Sequence, residues 1–165
     1  MRSSALRGAW LLVLGLAALS GTLYYDQANI AAWTRYEASS NAMNGPAQAL
    51  TAQIFTLIGA FAAAAVAVLV TVCALLFATG WRLGHWALRL TAVLTFVLLA
   101  LVAMVVVVAA LTGEAPTAVI DTPVWLLLAE WAAVAVALLG AGITTATLWQ
   151  FTPDADANAS SAVWH

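Results

Sequence analysis

The sequence predicts an all-α, polytopic membrane protein: a bundle of four transmembrane helices with both termini in the cytoplasm. Three observations carry this. Hydrophobic residues make up 65% of the 165 positions and charged residues only 7%. A soluble domain of ordinary composition is about half apolar, and a bilayer is the environment that accommodates more. The apolar residues fall into four long runs, and a run of about 20 helical residues crosses the hydrocarbon core. Arg2, Arg7, Arg82 and Arg89 fall on one side of the predicted spans and Arg35 alone on the other. Basic residues gather on the cytoplasmic side, so the termini belong inside. The localisation that follows is a multi-pass protein of the cell inner (plasma) membrane. Residues 1–151 form one transmembrane domain, and 152–165 form a short, acidic, disordered cytoplasmic tail.

The first span is expected at about 8–25, with Trp10 at its inner interface and Tyr24 and Tyr25 at its outer one. Its basic start and Ala18-Leu19-Ser20 also fit a signal peptide over residues 1–20. The tyrosine pair suits an interfacial belt and favours a retained helix. Residues 26–48 are expected to form the larger outer loop. Ile30, Trp33 and Tyr36 recur every three residues there, which suits a short amphipathic helix on the membrane surface. Asn44-Gly45-Pro46 then turns the chain, with Pro46 in the first turn of the next helix.

The second span, about 49–80, carries a stripe of small or weakly polar residues. Gln53, Thr56, Ala60, Ala63, Ala67, Thr71, Ala74 and Ala78 follow three-four spacing, leaving Phe55, Leu69, Leu76 and Phe77 on other faces. In lipid there is little hydrophobic drive between helices, and small residues permit close backbone approach. This stripe is therefore a candidate packing face. A cytoplasmic joint of residues 81–89 follows, with Trp81 and Trp86 at the interface and the arginines reaching headgroups. The third span, about 90–111, is rich in valine and leucine, and Gly113 is its expected stop. Residues 112–123 form the second outer loop. Thr122 as cap and Pro123 in the first turn open the fourth span, about 124–151.

Glu130 is the sharpest candidate for function. It lies about 10 Å along the fourth helix from its start, inside the membrane. A carboxylate there is expensive unless paired, protonated or hydrated. Ala133, Ala137, Ala141 and Thr145 continue its face at nearly four-residue spacing, which points Glu130 into the bundle. Gln53 and Thr56 lie at matching depth, and Arg35 is within reach from the loop. Asp26, Arg35, Glu37, Glu114 and Asp121 share the outer side and read as solvated loop charges.

Other residues carry less. Cys73 sits in an apolar run and reads as a small buried side chain. His85 and His165 lack a second ligand, so no metal or haem site is expected. The tryptophans fall where interfacial belts require them, apart from Trp164 in the tail. Asn158-Ala159-Ser160 matches a glycosylation triplet but lies in the predicted cytoplasmic tail. No phosphate loop, nucleophile elbow or zinc-binding helix motif is present. The arginines do not cluster, so no nucleic-acid partner is expected, and no cofactor is implied. The functional expectation is a non-catalytic protein, an accessory or assembly subunit that packs against other membrane subunits or itself. A small oligomeric transporter or channel using Glu130 is the alternative.

Overall fold

A computed structural model describes residues 2–39, 45–112 and 123–150. Four helices account for nearly all of them: α1 (Arg2–Ser39), α2 (Gly45–Ala78), α3 (Arg82–Thr112) and α4 (Val124–Trp149). Each contains a segment long and apolar enough to cross a membrane: Ser3–Ile30, Gln53–Ala78, Arg82–Val105 and Val124–Trp149. The chain is a four-span membrane protein on this ground, its helices satisfying their own backbone polar groups, as lipid requires.

The boundaries differ from the sequence expectation in instructive places. The first helix does not stop at residue 25 but runs unbroken to Ser39. No proline or glycine interrupts residues 22–39, so nothing local ends the helix where the polar residues begin. At 38 residues it is about 57 Å long, well over the roughly 30 Å of hydrocarbon. Most of the expected outer loop, residues 26–39, is thus a continuation of α1, and α2 opens at Gly45 with Pro46 in its first turn. The expected joint of residues 81–89 shrinks to 79–81, because Arg82, His85, Trp86 and Arg89 already belong to α3. Gly80 sits at φ 86 and ends α2. Its N–H donates to the Phe77 carbonyl, and the Trp81 N–H reaches back to the Leu76 carbonyl. This is the paired capping arrangement that a left-handed glycine permits. At the start of α4 the N-cap is Pro123, with no side-chain cap; its carbonyl accepts from the Leu126 N–H at 2.9 Å. Thr122 lies outside the described residues, as do Gly113 and the tail.

The helices alternate up and down. α1 is the centre of the arrangement, packed along both α2 and α4, while α3 closes the far side against α2 and α4 less extensively. The α1–α4 contact is made by glycine. A Cβ on Gly8 would lie 2.8 Å from the Thr144 nitrogen, and one on Gly15 would lie 2.7 Å from the Ala137 Cα. One on Gly140 would collide with the Leu12 backbone. The pairs Gly8 with Thr144, Leu12 with Gly140, and Gly15 with Ala137 step together in opposite directions, so the two helices are antiparallel and in fixed register. Ala5, Ala9, Leu12, Leu16, Ala137, Ala141 and Leu148 fill this seam and join Val70, Ala74, Phe77 and Leu88 in one core. That core occupies the half of the bundle nearer Arg89.

The small-residue stripe of α2 is placed as follows. Ala60, Ala63, Ala67 and Ala74 are buried, while Thr71 is half-buried and Ala78 exposed. Thr71 donates back to the Ala67 carbonyl at 2.8 Å. Val70, Cys73 and Phe77 are buried in the last turns instead. Phe77, which lies off the expected packing stripe, is buried where the tight corner brings α3 against it. A Cβ on Gly84 would lie 2.5 Å from the Phe77 nitrogen, and the His85 ring stands 5.9 Å from the Phe77 ring. On α4, Ala133, Ala137 and Ala141 are all buried.

Glycine contacts of this kind leave no room for a methyl group. Gly15→Ala should lower the stability of the purified protein by about 1–3 kcal/mol, read as a fall in thermal midpoint in detergent. Gly21→Ala, where a Cβ meets nothing within 4 Å, should be neutral or stabilising by up to about 1 kcal/mol, because alanine is the better helix former. Equal effects at the two positions would remove the packing role of Gly15.

Candidate functional site

The buried face of α1 can be followed from one end to the other. Ala5, Gly8, Leu12, Gly15 and Leu16 belong to the core, and the same three-four spacing leads on to Asp26 and Ile30. Asp26 is therefore carried into the bundle by the periodicity of its own helix. It is 8% exposed, and Ile30 beyond it is 2% exposed. The expectation that Asp26 is a solvated loop charge is corrected by this burial, and its cause is the continuation of α1 past residue 25.

On α4 the face that meets α1 includes Leu126, Ala133, Ala137, Gly140, Thr144 and Leu148, all buried. Glu130 lies on that face between Leu126 and Ala133 and is partly buried. The α1–α4 register places Asp26 across from Leu126, one turn and about 6 Å from the level of Glu130. In an antiparallel pair this offset brings the two side chains together. Side chains lean toward the N-terminus of their own helix. Asp26 leans toward the level of Glu130, and Glu130 leans toward the level of Asp26. One oxygen of each, Oδ1 of Asp26 and Oε1 of Glu130, is sealed from solvent and has no hydrogen-bond partner among the described residues.

The polar neighbours expected for Glu130 are arranged differently. Ser20 donates to the Ala60 carbonyl at 2.9 Å, and Gly59 faces Leu23, so α2 also runs antiparallel to α1. This places Gln53 and Thr56 near the level of Asp26, on the α2 side of α1, whereas Glu130 reaches α1 from the α4 side. The Thr56 hydroxyl donates to the Gln53 carbonyl at 3.0 Å within its own helix. Arg35 belongs to α1, nine residues beyond Asp26, and its side chain and that of Glu37 lie outside the described ones; Glu114 and Asp121 lie outside the described residues altogether. The sequence singles out Glu130 as a candidate but not the burial of Asp26. The signal was the spacing of Asp26 from Gly15 and Ile30, which continues one helical face.

The aromatic residues mark where this site stands. The Tyr25 and Trp125 rings meet at 5.6 Å, one residue before Asp26 and five before Glu130. Such pairs belong at a membrane–water boundary. The two carboxylates stand within about two helical turns of this aromatic contact. Among the described residues no group of three His, Cys, Asp or Glu side chains is gathered to hold a metal ion. Cys73 is buried, with its Sγ 3.9 Å from the Thr91 hydroxyl. His85 is also buried and lies 6.4 Å from the Trp86 ring.

Two side chains that interact should give non-additive substitutions. Asp26→Asn and Glu130→Gln should each leave the protein folded. Their double-mutant cycle, read from thermal or denaturant unfolding in detergent, should show a coupling of about 0.5–3 kcal/mol. Strict additivity would separate the two carboxylates.

Comparison of the chain with protein-family models, with curated proteins and with solved structures finds no match, so its function is argued from this geometry alone.

Proposed function

We propose that the chain is a non-catalytic protein of the inner (plasma) membrane whose working site is the Asp26–Glu130 pair. The pair reversibly takes up a proton or a small monovalent cation, and the chain acts as a small oligomeric transporter. The observation that carries this reading is the placing of buried Asp26 and partly buried Glu130 one turn apart on the facing sides of adjacent helices, each with an oxygen lacking a hydrogen-bond partner among the described residues. Two like charges facing each other in a low-dielectric setting repel, and one bound cation between them removes the conflict. Among the described side chains, which do not include that of Arg35, the remaining charged and titratable groups on the packed faces do not supply that cation. α2 contains no charged residue, and the basic residues of α3, Arg82 and Arg89, stand with His85 at the opposite end. Glu130 is the one charged residue of α4.

On this reading the α1 start and the α4 end face the cytoplasm, as the positive-inside rule suggests from the arginine distribution, and the carboxylates load from the outer side. α1 stays in the mature protein on this reading. Its removal would strip the backbone of α4 around Gly140 of the helix packed against it. A chain of four spans encloses little space alone, which is why several copies are invoked.

The test is proton flux into liposomes that contain the purified protein, followed with an internal pH dye under an imposed gradient. The wild type should acidify the lumen faster than empty liposomes, and Glu130→Gln and Asp26→Asn should each reduce the rate to that background. Unchanged flux in both variants would eliminate the pair as the site.

A second reading, an accessory or assembly subunit, is favoured by α3. Its buried positions, Gly84, His85, Leu88, Ala92 and Thr95, all precede residue 96, and its described residues beyond that are exposed or half-buried. That half of α3 is covered by lipid or by a neighbouring subunit. The native mass of the complex in mild detergent separates the readings: copies of this chain alone accord with transport, and a stoichiometric second protein accords with assembly.

A further inference from the structure

The opposite end of the bundle carries a second group of residues that the carboxylate pair does not use. Arg89, in the second turn of α3, places its guanidinium carbon 4.0 Å from the centre of the Trp149 ring on α4 and 5.5 Å from that of Trp86. Arg82 lies two turns earlier on the same helix, and Arg7 at the start of α1 is exposed at the same end. None of these arginines is paired with a carboxylate among the described residues: α2 and α3 contain no acid, and the acids of α1 and α4 stand toward the other end. Trp81, Trp86 and Trp149 are 60–62% exposed and form an aromatic rim around this charge.

We infer that Arg89, held over Trp149 beside Trp86, is a binding site for the phosphate of an anionic phospholipid. The chemistry follows from the arrangement. A guanidinium that stacks on an aromatic face keeps its N–H groups in the ring-parallel plane, free to form the two-pronged bond that phosphate oxygens accept. The rim of tryptophans puts that plane at headgroup depth. Arg7 and Arg82 add positive charge that no described carboxylate offsets, which favours a lipid with net negative charge over a zwitterionic one. The site is independent of the Asp26–Glu130 reading and rests only on the chain spanning a bilayer.

The experiment is a lipid titration of the purified, delipidated protein in detergent, read as the rise in thermal midpoint. The probes are phosphatidylglycerol, phosphatidylcholine and inorganic phosphate. Phosphatidylglycerol should stabilise the wild type at concentrations where phosphatidylcholine and inorganic phosphate do not. Arg89→Gln should weaken that effect about tenfold, the loss expected for a charge-assisted hydrogen bond. Arg89→Lys, which keeps the charge and the fold but cannot stack as a planar fork, should fall between the two. Arg82→Gln, whose guanidinium has no described ring contact, should lose less than Arg89→Gln. Equal stabilisation by phosphatidylcholine would overturn the inference, as would equal protection by inorganic phosphate. So would an Arg89→Gln protein that folds and responds like the wild type.

Discussion

The glycine contact between α1 and α4 is the constraint on which the rest of the molecule depends. Gly8, Gly15 and Gly140 let two backbones approach more closely than any side chain would allow. In a membrane this matters more than in water, because apolar side chains are as well solvated by lipid as by each other. Packing then favours whichever pair of helices can come closest. The contact also fixes register, since glycines meet backbone at only one alignment. With that alignment set, Leu12 is enclosed, Ala5 and Ala9 find α4, and Asp26 is carried to the level of Leu126. The site near Tyr25 and Trp125 is thus a consequence of packing in the other half of the bundle.

Much of the fold could be read from the chain. Long uncharged runs identify four spans because the hydrocarbon core sets their minimum length, and Ala133, Ala137 and Ala141 identify the buried face of α4 by their spacing. Other features were hidden. The end of the first span was placed at Tyr25 because polar residues follow it, but polarity does not stop a helix, and no breaker occurs before Gly45. That boundary also decided how Asp26 was read: as a loop residue it is solvated, as the next member of a helical face it is buried. The burial of Phe77 was hidden for a different reason. It arises from the close corner at Gly84, a tertiary contact that the α2 stripe does not encode. Glu130 could be recognised because a carboxylate in an apolar run is conspicuous. The place of Asp26 could not, because the register of two helices 100 residues apart is set by three glycines that look ordinary in an alanine-rich chain.

The two ends of the bundle carry opposite chemistry. At one, Asp26 and Glu130 lie beneath an aromatic contact, Glu130 being the one charged residue of α4. At the other, arginine stands over tryptophan with no acid beside it among the described residues. The core of small residues lies nearer the arginine end and holds α3 firmly there through Leu88, Ala92 and Thr95. Beyond Thr95 α3 is less enclosed, so the carboxylate end rests mainly on α1 with α2 and α4.

The account turns on the α1–α4 register, and cysteine cross-linking in native membranes tests it most directly. In a Cys73→Ala background, cysteines replacing Tyr25 and Trp125 should be joined rapidly by a short bifunctional reagent, since the two rings meet at 5.6 Å. Cysteines replacing Tyr25 and Ala132, which lies about two turns along α4 from Trp125, should not. Preferential linkage of the second pair would mean that the helices align differently, and the meeting of Asp26 with Glu130 would fall with that alignment.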